Sequence, residues 1–518
     1  MVNLKKNFIL NSLLLFILGA LSSLSLPPFN IFILNFFTFS IFFIFLFKQL
    51  NIRSKKRISF YYGWLFGFGY FFTNLYWITI SLTFDPNFKY LIPFAQILIP
   101  AFLASFYGLI SVLFYFINLK NVLSAFFLFS FLFGFVEFIR GNIFTGFPWN
   151  LIVYSFSDYL NFINIISVVG TYSMNLLAIS LFSSPAILIL KRSRLEIFVF
   201  TSLLIISTTF FVFGLINKQK FLSKEIKPNP YVIRALGTNI GLDRFNSNNQ
   251  TEDIINELIN ISSPDNNKKI FFLWPEGIIP GVHDDELVLY KDLFSESFNE
   301  KHIIGLGITS RLFKENNNFY FNSLSIFDNN LNLMENYKKV NLVPFGEFIP
   351  FEKILNKLGL KVITSNLGSF TSGEKRKIFK IENNYSETIK FLPLICYEII
   401  YSGNLTKNFN FDFIINISED GWFGKSIGPK QHFVHSIFRA IESGKYVIRS
   451  SNNGMAAVIN PIGEIEQKID YGQDGFIDFR ESRKHVKTIF SLYGNKIFFV
   501  IILLYILLIF SFNRIKNE

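Results

Sequence analysis

Apolar positions along the chain fall into two regimes. Unbroken apolar runs cover about 8–25, 29–48, 60–82, 92–118, 122–140, 163–190 and 197–216, and one more covers about 495–513. Each is close to the roughly 20 residues that a helix needs to cross a hydrocarbon core of ~30 Å. Between 217 and 494 the pattern changes to short apolar segments separated by Asn, Asp and Gly turns, as in a folded domain of strands and helices. The expected plan is a membrane region of seven helices over 1–216, an extramembrane domain over 217–494, and a C-terminal span with a short tail over 495–518.

Composition agrees with that plan. Of the 518 residues 51% are hydrophobic and only 17% charged, with 69 Phe, against about 25% charged in a typical soluble domain. Disorder, a small disulfide scaffold and an all-soluble enzyme are excluded. The richness in Phe, Ile, Asn and Lys matches A/T-rich coding and carries no functional weight. Small residues at Gly19-Ala-Leu-Ser-Ser23 after Lys5-Lys6 also give the first run a signal-peptide look, but the six runs behind it favour an uncleaved span.

Loop charges set the expected orientation. Lys5, Lys6, Lys48, Arg53, Lys55, Lys56, Arg57, Lys120, Lys191, Arg192, Arg194, Arg514 and Lys516 all fall on one side, and the opposite loops hold only Lys89 and Arg140. The positive side is the cytoplasm. Both termini are then cytoplasmic, and the 217–494 domain is periplasmic or its equivalent on the inner membrane. Residues 1–216 carry 13 Lys/Arg and four acids, so +9 of the net +12 resides there. The charge therefore reports topology, and no basic patch points to nucleic acid.

The chemistry concentrates in three segments of the extramembrane domain. Cys396 is the only cysteine and ends the apolar stretch Phe391-Leu-Pro-Leu-Ile-Cys-Tyr-Glu398. It is either a small buried hydrophobe or a nucleophile held at a strand end. A thiol of ordinary pKa near about 8.5 needs activation. Two kinds of partner are available, a histidine (His432 or His435) or a carboxylate. Phe271-Phe-Leu-Trp-Pro-Glu276 is again an apolar strand, stopped by Pro275 and presenting Glu276 as a general base or as a surface turn residue. A hairpin with its turn at Asp328-Asn-Asn330 leads into Tyr337-Lys-Lys339. Adjacent lysines on a strand face opposite ways, so at most one reaches a cleft, where it would steady an oxyanion; a solvated pair is the alternative.

Together these segments resemble the nitrilase superfamily, and more narrowly the apolipoprotein N-acyltransferases. The resemblance rests on Trp274-Pro-Glu276, on Tyr337-Lys-Lys339 ahead of Leu342-Val-Pro-Phe-Gly-Glu347, and on Ile395-Cys-Tyr-Glu398. It continues through Asn416–Gly424, Gly428–His432, Phe438–Glu442 and Arg449–Gly454. It reaches the membrane half in Glu137-Phe-Ile-Arg140 and Thr145-Gly-Phe-Pro-Trp149. It implies a polytopic helical membrane region joined to a nitrilase-like α-β-β-α sandwich. It assigns Glu276 as base, Lys339 as oxyanion-stabilising lysine, Cys396 as nucleophile and Glu347 as the carboxylate holding the lysine, with Tyr397 and Glu398 lining the pocket.

The implied reaction is acyl transfer from a phospholipid, through a Cys thioester, to the α-amine of a diacylglyceryl-modified apolipoprotein. No metal or redox cofactor is expected, and a monomer is. Because both substrates carry acyl chains, Phe345–Phe351 and Ser365–Gly373 either dip into the membrane or pack in the core. Glu137 and Arg140 either pair with each other or anchor the domain or a lipid head group. Departures from the family pattern are Ala235-Leu-Gly-Thr-Asn239, Phe245 near a usual Trp, and Glu419 before Asp420; they bear on substrate contacts. Three other readings compete: a membrane-tethered amidase acting on a small amide, a transporter with an accessory domain, and a Cys–His hydrolase using His432.

Overall fold

A computed structural model describes residues 8–49, 56–245, 251–350, 369–382, 388–483 and 487–514. Lys5, Lys6, Arg53, Lys55, Phe351, residues 365–368 and Lys516, used above, lie outside them. The described chain divides into two compact units. One holds the residues up to Thr79, Lys89–Gln219 and those from Thr488 onward. The other holds Ile80–Phe88 and Lys220–Lys487.

The first unit is helical. Among the described residues, five helical segments are long and apolar enough to cross a membrane: Pro86–Ile117, Val122–Asn142, Ile166–Leu190, Arg194–Leu222 and Lys496–Arg514. Phe8–Ser23 and Ile33–Gln49 are shorter apolar helices. The run expected as one helix over 60–82 is broken: Lys56–Asn74 and the 3-10 helix Tyr76–Thr83 meet at 46°. The break follows Asn74, whose side chain accepts a hydrogen bond from Asn150. Beyond it, Ile80–Phe88 leaves the helical unit.

Packing in this unit depends on small residues at helix contacts. A Cβ on Gly19 would lie 1.9 Å from the Phe66 carbonyl oxygen, and one on Gly69 would lie 2.1 Å from that of Phe16. Helices Phe8–Ser23 and Lys56–Asn74 therefore touch backbone to backbone. Helix Val122–Asn142 starts at Asn121, whose side chain accepts from Leu123 N and Ser124 N, and most of its side chains are buried. Arg194–Leu222 and Lys496–Arg514 instead present large apolar side chains outward, among them Phe198, Ile205, Val500 and Phe510, as a lipid-facing surface requires. Glu137 and Arg140 form a buried i,i+3 ion pair, and Arg140 also donates to the Phe147 carbonyl. The mutual pairing is the arrangement found.

The second unit is built on strands β1 Ile226–Thr238, β2 Ile270–Leu273, β3 His302–Lys314, β4 Asn317–Asp328, β5 Leu333–Lys338, β6 Phe379–Glu382, β7 Thr388–Ile395, β8 Phe413–Glu419, β9 Tyr446–Asn452, β10 Ala456–Ile459, β11 Ile465–Ile469 and β12 Gly475–Arg483. Their order is β5-β4-β3-β2-β1-β9-β8-β7-β6. The run from β3 to β7 is parallel; β4, β5 and β6 add antiparallel edges. β1 and β9 touch only through Gly237–Ser451 and Thr238–Asn452, so two half-sheets hinge there and face each other.

Alternation of side chains along each strand builds the layers. Phe271 and Leu273 point into the inner core with Phe391, Ile395, Ile415, Ile417 and Tyr337. Phe271 and Phe391, from opposite half-sheets, approach to 5.7 Å between ring centroids. Ile270, Phe272 and Trp274 point the other way, under Ile254, Ile255, Leu258 and Ile259 of helix Thr251–Ser262. Helix Gly428–Ser443 is buried along its length and ends at Gly444 in the left-handed region, φ +65°. It packs beside β9 and β10. Helix, sheet, sheet, helix is the sandwich expected.

Candidate active site

The candidate residues sit where strands end. β2 stops at Leu273. Trp274 prolongs the ladder, donating its backbone N–H to Gly305 O at 2.8 Å, and anchors its indole on Ser262 Oγ at 2.9 Å. Pro275 then ends the strand and Glu276 follows, buried. β3 runs alongside so closely that a Cβ on Gly307 would meet Glu276 Cα at 2.4 Å. Only glycine leaves room for the Glu276 backbone.

Lys339 follows β5 directly, its N–H on the Asn322 carbonyl at 2.8 Å. Its side chain is 1% exposed and Nζ lies 3.0 Å from Glu276 Oε1 and 2.9 Å from Glu347 Oε1. Lys338 faces the other way, over the Phe321 ring at 3.9 Å. Burial opposes the Lys339 charge, but the two carboxylates outweigh it and hold the ammonium pKa above its usual value. Glu347 is raised above the ordinary carboxylate range by burial, against the pull of Lys339.

Cys396 begins the short helix after β7, with φ +47°. A non-glycine residue in that region is strained, a state that concentrates at functional sites. The thiol is buried. Burial first, then the Glu276 charge, push its pKa well up, and Lys339 only partly offsets them. Glu276, Lys339 and Asp420 all act on it electrostatically.

Glu398 and Tyr397 differ in what they do. Glu398 is fully buried and accepts from Tyr337 Oη at 2.9 Å, Val340 N at 3.0 Å, Asn341 N at 3.2 Å and Ile395 N at 2.9 Å. It ties the turn after Lys339 to the strand end before Cys396. Tyr397 packs edge-on against Tyr401 at 5.6 Å. Of the segment after Leu342, Phe345 is exposed with φ +63°, while Ile349 is buried.

Several site residues escape sequence reasoning. Asn322 Nδ2 donates to Glu276 Oε1 at 2.7 Å and to Glu347 Oε1 at 2.6 Å; its only signal is an amide inside the aromatic strand Phe319-Tyr-Phe-Asn322. Glu419 matters through its backbone, since its N–H donates to Glu276 Oε2 at 3.0 Å. Its carboxylate takes Arg244 Nη2 at 2.5 Å and Asn452 Nδ2 at 2.6 Å. Phe245 stacks on Trp422 at 5.6 Å, and Phe84 meets the same indole edge-on at 5.7 Å.

The Cys–His reading turns on His432. Its Nδ1 lies 2.8 Å from Asp420 Oδ1, and its Nε2 lies 3.2 Å from the Cys396 carbonyl oxygen. Cys396, Asp420 and His432 bring S, O and N donors within 4.8 Å of one another, a set that suits Zn²⁺ by type. Asp420 already takes Arg449 Nη2 at 2.7 Å and Ser418 Oγ at 2.7 Å. A cation there would have to displace a guanidinium and both imidazole partners.

Comparison with known proteins now adds the class. Residues 261–478 match the carbon-nitrogen hydrolase family, and residues 18–183 match the family described as the apolipoprotein N-acyltransferase N-terminal domain. Apolipoprotein N-acyltransferase of Rhizobium rhizogenes is 30% identical over 516 residues, 95% of this chain and 93% of that protein. That of Agrobacterium fabrum is 31% identical over 479 residues, 89% of this chain and 88% of its own. An amidase of Nesterenkonia sp. AN1 superposes with a TM-score of 0.34 at 13% identity, covering 49% of this chain and 91% of its own. The extramembrane unit is thus a carbon-nitrogen hydrolase domain joined to a membrane unit. The chain belongs to the apolipoprotein N-acyltransferase family.

Proposed function

We propose that the chain moves a fatty acyl group from a membrane phospholipid to the α-amine of a diacylglyceryl-modified apolipoprotein. The observation that carries this reading is Lys339 clamped between Glu276 and Glu347, with its charge acting on the buried Cys396 thiol, in a chain of this family. In the first half-reaction Glu276 takes the Cys396 proton as sulfur attacks the sn-1 ester carbonyl. Lys339 and a backbone N–H at the Cys396 turn hold the oxyanion. The intermediate expels the lysophospholipid alkoxide, which recovers the proton from Glu276, and a thioester remains.

In the second half-reaction the acceptor's α-amine attacks the thioester and gives a proton to Glu276. The Cys396 thiolate leaves and is reprotonated. Splitting the transfer through a thioester replaces one hard step with two easier ones. Both half-reactions are redox-neutral and route through no metal. Glu347 holds Lys339, Tyr397 supports the pocket wall and Glu398 braces the two turns. The extramembrane unit works on the extracytoplasmic side as a monomer, with both termini cytoplasmic.

Intact-protein mass spectrometry of detergent-purified chain with phosphatidylethanolamine alone tests the donor half-reaction. Wild type gains a fatty-acyl mass that hydroxylamine removes, and Cys396→Ala gains none. Ammonia release from a small-amide panel, with no acyl adduct, would replace the acyltransferase by an amidase.

A further inference from the structure

We propose that His432 is a positioning residue that sets the Cys396–Tyr397 peptide, and through it the backbone donor for the oxyanion. The inference rests on the reading of Cys396 as the nucleophile. A trans peptide is planar, with its carbonyl and N–H on opposite edges. Fixing the Cys396 carbonyl therefore fixes the direction of the Tyr397 N–H. Cys396 stands at φ +47°, a conformation that persists only where the surroundings over-determine it. His432 Nε2, 3.2 Å from that carbonyl, is one such determinant.

The imidazole is itself held by a layered buried network. Donation to the carbonyl requires a proton on Nε2: the neutral ring then accepts at Nδ1 from Arg449 Nη2 at 3.2 Å, and the doubly protonated ring gives its Nδ1–H to Asp420 Oδ1 at 2.8 Å. Arg449 is in turn seated on Asn416 Oδ1 and on the Met455 carbonyl. Asn416 Nδ2 reaches back to the Leu394 carbonyl, two residues before the nucleophile, at 3.1 Å. Asp420, Arg449, Asn416 and His432 thus form one connected network that reaches the Leu394 and Cys396 carbonyls. His432, Arg449 and Asn416 are fully buried, and none of them is assigned a role in the two half-reactions. A hydrogen bond accepted by the carbonyl also polarises its peptide and strengthens the N–H opposite. His432 acts on the oxyanion without touching it.

The test separates this role from simple support of the fold. Full-length His432→Phe, His432→Gln and Cys396→Ala are purified in detergent. Two rates are measured on each: acyl-adduct formation from phosphatidylethanolamine, and iodoacetamide alkylation. Cys396 is the only thiol in the chain, so alkylation reports it alone. Alkylation forms no oxyanion; acylation does. Loss of a direct oxyanion donor costs about 10²–10³ in rate, and an indirect one is expected to cost at the lower end, about 10²-fold, in acylation by His432→Phe. Alkylation stays within about threefold, KM for the lipid holds, and His432→Gln, which keeps a donor, recovers at least about tenfold.

Acylation and alkylation falling together, with Gln no better than Phe, would overturn the proposal in favour of a structural role. Unchanged acylation in His432→Phe would overturn it outright. Acyl transfer that persists in Cys396→Ala would instead remove the nucleophile assignment on which it rests.

Discussion

Glu276 and Cys396 are coupled in a way that separates their two chemistries. The Glu276 charge pushes the thiol pKa up, so removing that charge lowers it. Glu276→Gln is expected to speed iodoacetamide alkylation of Cys396 at pH 8 while slowing acyl transfer by about 10²–10⁴-fold, the usual worth of a general base. In wild type, alkylation should rise about tenfold per pH unit between about 7 and 9, because only the thiolate reacts. A rate already on its plateau at neutral pH would show a standing thiolate–ammonium pair and remove the need for a base. Both profiles need only the intact chain and its single thiol.

At the scale of elements, the site depends on strands ending at fixed depths. β2, β5 and β7 stop at Leu273, Lys338 and Ile395, and Glu276, Lys339 and Cys396, the proposed catalytic residues, follow within three positions. Gly307 imposes one of these constraints. A Cβ there meets Glu276 Cα at 2.4 Å and the Pro275 oxygen at 2.5 Å, both backbone atoms that cannot swing aside. Gly307→Ala is expected to cost about 1–3 kcal/mol in stability, as overpacking does. It should lower acyl-adduct formation by about 10²-fold through misplacement of Glu276 on the order of 1 Å. Thermal unfolding beside the mass-spectrometric assay checks both. A stable, fully active variant would mean that β3 yields at this point.

For the whole molecule, the testable issue is sidedness. Asn408 is exposed on the extramembrane unit, and Lys120 is exposed in a loop between apolar helices. In a Cys396→Ala background, Asn408→Cys should react with a membrane-impermeant maleimide in intact spheroplasts. Lys120→Cys should react only after permeabilisation. The reverse labelling would invert the proposed topology. Ile80–Phe88 belongs to the same issue, since it lies in sequence between apolar helices yet packs with the extramembrane unit, Phe84 on Trp422 and Ile80 against Gly424.

Much of this protein is legible in sequence, for reasons that are local. Apolar runs mark the membrane helices because a lipid-exposed span must be apolar all round. Alternation marks the strands, because β2 splits Phe271 and Leu273 from Phe272 and Trp274 between two cores. Glu276 and Cys396 stand out because each follows an apolar strand, and Lys339 because it closes the Tyr-Lys-Lys segment after a hairpin. What sequence leaves undecided depends on contacts between distant segments. Asn322 bridges two carboxylates that lie 46 and 25 residues away. Glu419 serves the base through a main-chain N–H that any residue would supply, so its side chain misleads. Glu398 is turned inward by donors from β5, from the turn after Lys339 and from the end of β7, and the 60–82 run breaks where Asn74 meets Asn150. Periodicity encodes which face a residue presents; only the folded chain decides which buried polar groups find one another, because each must be satisfied by a partner the sequence does not place nearby.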